Sequence, residues 1–272
     1  MSDADLSARI GGLMPRARRD LTELVAFRSV AGSSEFPAEE CDRAASWLVD
    51  ALTDAGLTEV AAHQTADGSK AVLGHRPAPA GAPTVLLYCH YDVVAPLAAE
   101  AWKTPAFELT EREDGRWYGR GAADCKGNVV AHLTALRALG DELPVGVKVI
   151  VEGSEEVGTG GLEALIEDDP ALLDAEAMVI ADTGNFELGL PTLTTSLRGV
   201  ANLVLTVRNN GLPFPSMIDH QRGMGLRIMN YRANVIGASL EIKPLRPKGA
   251  LVTLTLPTKP AAPGKEKAAA AP

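Results

Sequence analysis

The sequence holds only three cysteines, Cys41, Cys89 and Cys125, which are odd in number, far apart and never in a CxxC pair. That pattern excludes a disulfide framework and a cysteine zinc site, and it fits a reducing cytoplasm. Positive charge is also short: 26 Lys and Arg stand against 35 Asp and Glu, a formal charge of -9. Nucleic acids and anionic membranes require a concentrated basic surface, so neither is an expected partner. No apolar run is long enough for a bilayer, Val145 to Val151 being far too short, and MSDADLSARI has no apolar leader segment. Export and membrane insertion are therefore not expected. What the 272 residues do allow is a buried core of about one to two ordinary domains.

Apolar residues recur at helical spacing from Leu6 through Ile10, Met14, Leu21 and Val25, and again from Ala38 to Ala55, where Gly56 stops the run. Thr84 to Cys89, Val145 to Val151 and Ala177 to Ala181 are short apolar runs of the kind that form buried strands. Between and after them, Lys126 to Gly140 and Gly161 to Leu173 have helical patterns. This alternation predicts an α/β fold, a mostly parallel sheet covered by helices, whose ligands gather at the carboxyl ends of strands. The Pro, Ala and Gly segment from Pro77 to Pro83 is a plain connection.

Four places carry candidate chemistry. The strand ending at Cys89 runs into His90-Tyr91-Asp92, and alternation along an extended chain puts His90 and Asp92 on one side. An imidazole ligand with a carboxylate behind it fits this spacing, as does a buried histidine bonded to its neighbour. The glycine-punctuated stretch from Gly119 to Gly127 delivers Asp124 just before a helix, where it could equally cap that helix. The strand ending at Val151 leads into Glu152-Gly153-Ser154-Glu155-Glu156, and adjacent carboxylates there call for cations or protons to offset repulsion. The last strand ends at Asp182-Thr183-Gly184-Asn185, which alone would pass for a turn. Taken together, all four lie at or beside strand ends that face one crevice. Imidazole and oxygen ligands suit one or two zinc ions, with cobalt or manganese as substitutes.

Leu86 to Asp92, Trp117 to Lys126 and Glu152 to Gly161 resemble the zinc metallopeptidase family of aminoacylases, acetylornithine deacetylases, carboxypeptidases and carnosinase-type dipeptidases. The dipeptidases are the nearest group, and the resemblance covers residues 6–208. It implies one ion held by His90, Asp124 and Asp182, and a neighbour held by the bridging Asp124 and Glu156. It further implies Glu155 as general base, Asp92 behind His90, and a cis peptide bond between Asp124 and Cys125. Cys125 itself reads as a packing thiol. The implied activity is a dipeptidase-like hydrolysis of small peptides or N-acyl amino acids with a metal-activated water. Family members continue into an inserted lid and return to supply a last histidine. Neither is recognisable here, so a weakened activity and tighter binding on the His90 side are expected.

After Arg208, the stretches from Asn209 to Pro215, Gly223 to Met229, IGASLEI and ALVTLTLP resemble the end of a sensor histidine kinase ATP-binding domain. Gly223 and Gly225 would be its phosphate-loop glycines, although Asn209 and Pro213 depart from the expected Asp and Gly. The expected organisation is a peptidase-like domain over 1–208, a helix-strand-strand fragment over 209–257, and a disordered Pro, Ala and Lys tail over 258–272. The shared strand Asn202 to Arg208 would then join two sequences of different origin, a chimera. Two other readings stay open: a nucleotide-binding fragment, and a metal-binding relic without catalysis. His220 is a candidate for the missing ligand.

Overall fold

The computed structural model describes residues 2–96, 102–182, 184, 185, 187, 189, 190, 192, 194, 201–209, 229, 233, 238–245 and 248–258. The chain divides into two compact units, Met1–Thr192 and Leu193–Pro272. Helix α1 (Asp3–Ala26) begins with a reciprocal cap in which the Ser2 hydroxyl accepts from the Asp5 amide and the Asp5 carboxylate accepts from the Ser2 amide. Helix α2 (Glu39–Asp54) buries Ala44, Ala45, Leu48, Ala51 and Leu52, one stripe at helical spacing. Gly56 follows it with a φ of +92°, which only glycine adopts without strain.

Strands β1 (Thr58–Gln64), β2 (Lys70–Arg76) and β3 (Thr84–His90) come next. The hairpin of β4 (Thr110–Glu111) and β5 (Trp117–Tyr118), then α3 (Lys126–Leu139), β6 (Gly146–Glu152), α4 (Gly160–Asp168) and β7 (Ala177–Ile180) complete the first unit. Its sheet has the order β1-β2-β6-β3-β7. The three strands read from the sequence, β6, β3 and β7, are mutually parallel and adjacent, whereas β1 and β2 add an antiparallel edge. That edge escaped the sequence because β1 is exposed almost throughout and shows no apolar run.

Alternation sets the two faces. Val147, Val149 and Val151 of β6 and Cys89 of β3 join the large core beneath α1, α2 and α3. Ile150 and Leu86 point the other way, onto Leu162 of α4. Helix α4 stops at Asp168, short of the expected Leu173, because Pro170 lies ahead and its ring disfavours helical backbone in Asp169. Pro170 instead opens a short 3-10 turn. Lys126, fully buried at the start of α3, donates to the carbonyls of Leu24 and Phe27, each at 2.8 Å, and so fastens the α3 N-terminus to the end of α1. Gly121, with φ +83°, leaves room for it: a Cβ there would lie 2.8 Å from Lys126 Cδ.

The second unit contains β8 (Ala201–Asn209), β9 (Ser239–Pro244) and β10 (Ala250–Thr258) in the antiparallel order β8-β10-β9. The expected boundary at residue 208 falls inside β8, while the units divide after Thr192. The reason is pairing: β8 is matched to β10 from Ala201 through Asn209, so it belongs with the strands that follow it. The fragment expected over 209–257 thus shares its sheet with the stretch before it. Gly223, Gly225, His220 and residues 259–272 lie outside the described residues.

Candidate metal centre

Parallel pairing of β3 with β6 sets His90 opposite Glu152, and β7 ends two residues before Asp182. Three neighbouring strands therefore end on one rim, where the loops after β3 and β6 and the turn before α3 add the remaining groups. His90 and Asp92 are both fully buried. His90 Nδ1 lies 3.1 Å from the Asp92 carbonyl and 3.2 Å from Asp92 Oδ1, which orients the ring and leaves Nε2 facing the rim. Around Nε2 stand Asp124 Oδ1 at 3.1 Å, Asp182 Oδ1 at 3.4 Å and Glu155 Oε2 at 3.9 Å. The Asp124–Cys125 peptide bond is cis. Asp124 is the open member of the group, its side chain 69% exposed.

Asp92 has a further role that the sequence did not disclose. Its carboxylate accepts from the backbone amides of Glu155, at 3.2 Å, and Glu156, at 3.1 Å. One buried carboxylate thus fixes both the imidazole and the loop carrying the paired glutamates.

Ligating atoms of His90, Asp124 and Glu156 lie within 4.8 Å of one another, as do those of His90, Cys125 and Asp182. All six residues expected at the site are on this rim. The expected trio of His90, Asp124 and Asp182 meets at Nε2, but its two carboxylates fall into different groups of ligating atoms. The Cys125 sulfur, read from the sequence as packing, approaches the Ala181 carbonyl at 3.1 Å and is also near His90. Imidazole and carboxylate donors crowded at this spacing fit a divalent cation such as zinc.

Charge at the rim is unbalanced. Burial raises the carboxyls of Glu155, Glu156 and Asp182 above their usual range, and neighbouring carboxylates add to the effect. His90 loses by burial but gains more from its bond to Asp92 and from the charges of Cys125, Asp92 and Asp182, which push it up to about 10. A cation at Nε2 would take the place of that proton. Glu152, missed in the sequence, is 1% exposed at the end of β6. Burial, with Asp92 and Glu155 nearby, pushes it up to about 7 against the hydrogen bond it accepts from Tyr88. Its place at the end of the apolar run VGVKVIV was the one signal in the sequence.

A pH dependence follows. Glu152 binds a proton in the folded chain between its ordinary 4.5 and about 7, where the unfolded chain has lost it. Stability must therefore fall as pH rises through that window. Glu155, Glu156, Asp182 and His90 shift in the same direction; His132, lowered by burial, opposes them below its ordinary 6.5, and Lys126, lowered by burial to about 7, opposes them above that pH. Denaturant titrations in EDTA should show stability declining from pH 4.5 to 7. Glu152→Gln should flatten this decline by up to about 3 kcal/mol, at roughly 1.4 kcal/mol per pH unit. An unchanged slope in that variant would remove Glu152 as the cause.

A model of peptidase family M20/M25/M40 matches residues 86–258, and so runs through the expected junction at 202–208 without a break. The kinase resemblance of residues 209–257 gains no support from this match. A cysteinylglycine-S-conjugate dipeptidase of Corynebacterium striatum is 45% identical over 191 residues, 69% of this chain and 41% of that protein. A beta-Ala-His dipeptidase of Homo sapiens is 38% identical over 138 residues, 49% of this chain and 27% of that protein. The chain thus spans less than half the length of these relatives. Among solved structures, the dipeptidase Dug1p of Saccharomyces cerevisiae aligns with a TM-score of 0.71 at 18% identity, covering 96% of this chain and 73% of that one. Human carnosine dipeptidase 1 aligns at 0.67 with 21% identity, again over 96% and 73%. These two likenesses show a common fold.

Proposed function

We propose that this chain, which belongs to peptidase family M20/M25/M40, carries the metal centre of a dipeptidase acting on small peptides or N-acyl amino acids. The observation that supports this most is the ring of Asp124, Asp182 and Glu155 oxygens around the outward nitrogen of a buried, oriented His90. In this reading His90, Asp124 and Asp182 hold one zinc ion, and Asp124 with Glu156 holds a second. Cobalt or manganese would serve as substitutes. Bound divalent cations supply polarisation of the scissile carbonyl and a water acidic enough to lose its proton near neutral pH.

The chain's own residues do the rest. Glu155 stands 3.9 Å from His90 Nε2 and belongs to neither ligand group, so it is free to take the proton from water and return it to the leaving amine. Its raised affinity for a proton suits that exchange. Asp92 keeps His90 in the tautomer with a free Nε2 and holds the Glu155–Glu156 backbone against the imidazole. The ion beside His90 and Asp182 has a fully buried imidazole among its ligands and binds more tightly than its neighbour, to which only Asp124 and Glu156 are assigned. The second compact unit is read as part of the family's inserted domain, since the family match extends over it. A cytoplasmic setting rests on the cysteine usage. No helix among the described residues is long and apolar enough to cross a membrane.

The direct test is hydrolysis of Cys-Gly and β-Ala-His by the purified chain. After EDTA treatment no cleavage is expected, and zinc, cobalt or manganese should restore it. Binding of ions without any cleavage would favour the relic reading. Failure to bind ions at all would remove the metal centre altogether.

A further inference from the structure

The loop that carries Glu155 and Glu156 is tightly wound. The Ser154 carbonyl accepts from the amides of Val157, at 3.2 Å, and Thr159, at 3.1 Å, and α4 begins immediately afterwards. On the inner side the loop is gripped by Asp92. At Gly153 it presses so closely on Tyr91 that a Cβ would lie 2.2 Å from the phenol oxygen.

Its outer side meets the turn between β1 and β2. There Asp67 Oδ1 accepts from the Ser69 amide at 3.0 Å, the Thr65 hydroxyl at 2.7 Å and the Ser69 hydroxyl at 2.8 Å. Ser154, only 2% exposed, lies with its hydroxyl 3.2 Å from the Ser69 hydroxyl, which itself donates to Asp67 Oδ1 and so links the two. The same carboxylate packs on the second residue of α4, since a Cβ at Gly161 would stand 2.3 Å from Asp67 Oδ1. A negative group at that point also faces the positive end of the helix. Asp67 therefore reaches both ends of the segment 154–161, Ser154 through the Ser69 hydroxyl and Gly161 by direct packing.

We propose that Asp67 is a positioning residue for the metal centre, holding the Glu155–Glu156 loop from outside as Asp92 holds it from inside, through Ser69 to Ser154 and directly at Gly161. Glu155 and Glu156 enter with the roles proposed above, on which this inference rests. An outer residue of this kind sets the affinity of the ion whose ligand it steadies, by about 10- to 100-fold. The effect should fall on the Glu156 side of the centre and leave the ion beside His90 and Asp182 in place.

Two measurements on the full chain test this: zinc titration by calorimetry, and hydrogen exchange of the Glu155 and Glu156 amides. Asp67→Ala should weaken the weaker ion by about tenfold or more, with the tighter ion unchanged, and should speed exchange at both amides. Asp67→Asn keeps an acceptor oxygen and should restore most of both. Thr65→Ala removes one donor to Asp67 but keeps the carboxylate and its link to Ser154, and should change both by less than Asp67→Ala does. Equal weakening of both ions, equal effects of Thr65→Ala, or unaltered exchange in Asp67→Ala would each overturn the proposal. If the unmodified chain binds no zinc, the metal-centre reading fails by itself, and the exchange comparison still decides whether Asp67 holds the loop.

Discussion

Replacing Glu155 with Gln is expected to lower kcat for zinc-dependent dipeptide hydrolysis by about 10²- to 10⁴-fold, the usual contribution of a positioned general base. Gln has nearly the same shape but cannot take a proton. Its amide can still occupy the space 3.9 Å from His90 Nε2, and neither group of ligating atoms includes Glu155. Zinc affinity should therefore stay close to that of the unmodified chain, so the loss falls on kcat rather than on ion content. The check is steady-state kinetics of both proteins at saturating zinc, with ion content measured in parallel. A variant retaining a tenth or more of kcat would exclude Glu155 as the base. Glu156→Gln should behave differently, because its carboxylate lies in a ligand group with His90 and Asp124 and its loss lowers ion content.

Asp92→Ala is expected to be the most damaging change to the centre as a structure. The carboxylate is completely buried and accepts from the Glu155 and Glu156 amides while standing 3.2 Å from His90 Nδ1. Alanine leaves two backbone donors without these partners and the ring with only the Asp92 carbonyl to orient it. A buried donor left unsatisfied costs about 1 to 3 kcal/mol, so a loss of stability on the order of 3 kcal/mol is expected. Zinc affinity should fall about 10- to 100-fold as the ring and the loop lose their fixed positions. Denaturant melts in EDTA read the first effect, and calorimetry reads the second. Asp92→Asn, which keeps one acceptor oxygen, should fall between the two. If Asp92→Ala melted like the unmodified chain, the hydrogen bonds assigned to Asp92 would not be holding the loop.

Several parts of this architecture were legible in the sequence because they depend on short-range pattern. The runs TVLLYC, VGVKVIV and AMVIA became the parallel strands β3, β6 and β7; β6 is buried and β3 half-buried as expected, whereas β7, last in the strand order, is exposed along its length against the expectation of a buried strand. His90 and Asp182 follow from strand ends, and Asp124 from the glycine-rich turn before α3. The antiparallel edge was not legible. TEVAAHQ and KAVLGHR carry no sustained alternation, and they form strands because β6 offers β2 an open edge to pair with. The division after Thr192 was equally hidden, since only pairing with β10 assigns β8 to the second unit.

The same contrast separates the ligand groups from what holds them. Residue types, order and strand-end placement were fixed by the sequence alone, because a metal-binding side chain must sit beside a turn that lets it leave the sheet. Tertiary structure alone decided that Glu152 is buried opposite His90, that Asp92 binds the amides of Glu155 and Glu156, and that Asp67 reaches Ser154, through Ser69, and Gly161. Each of these contacts joins segments tens of residues apart, and no local periodicity records which loops the closing of the sheet will press together.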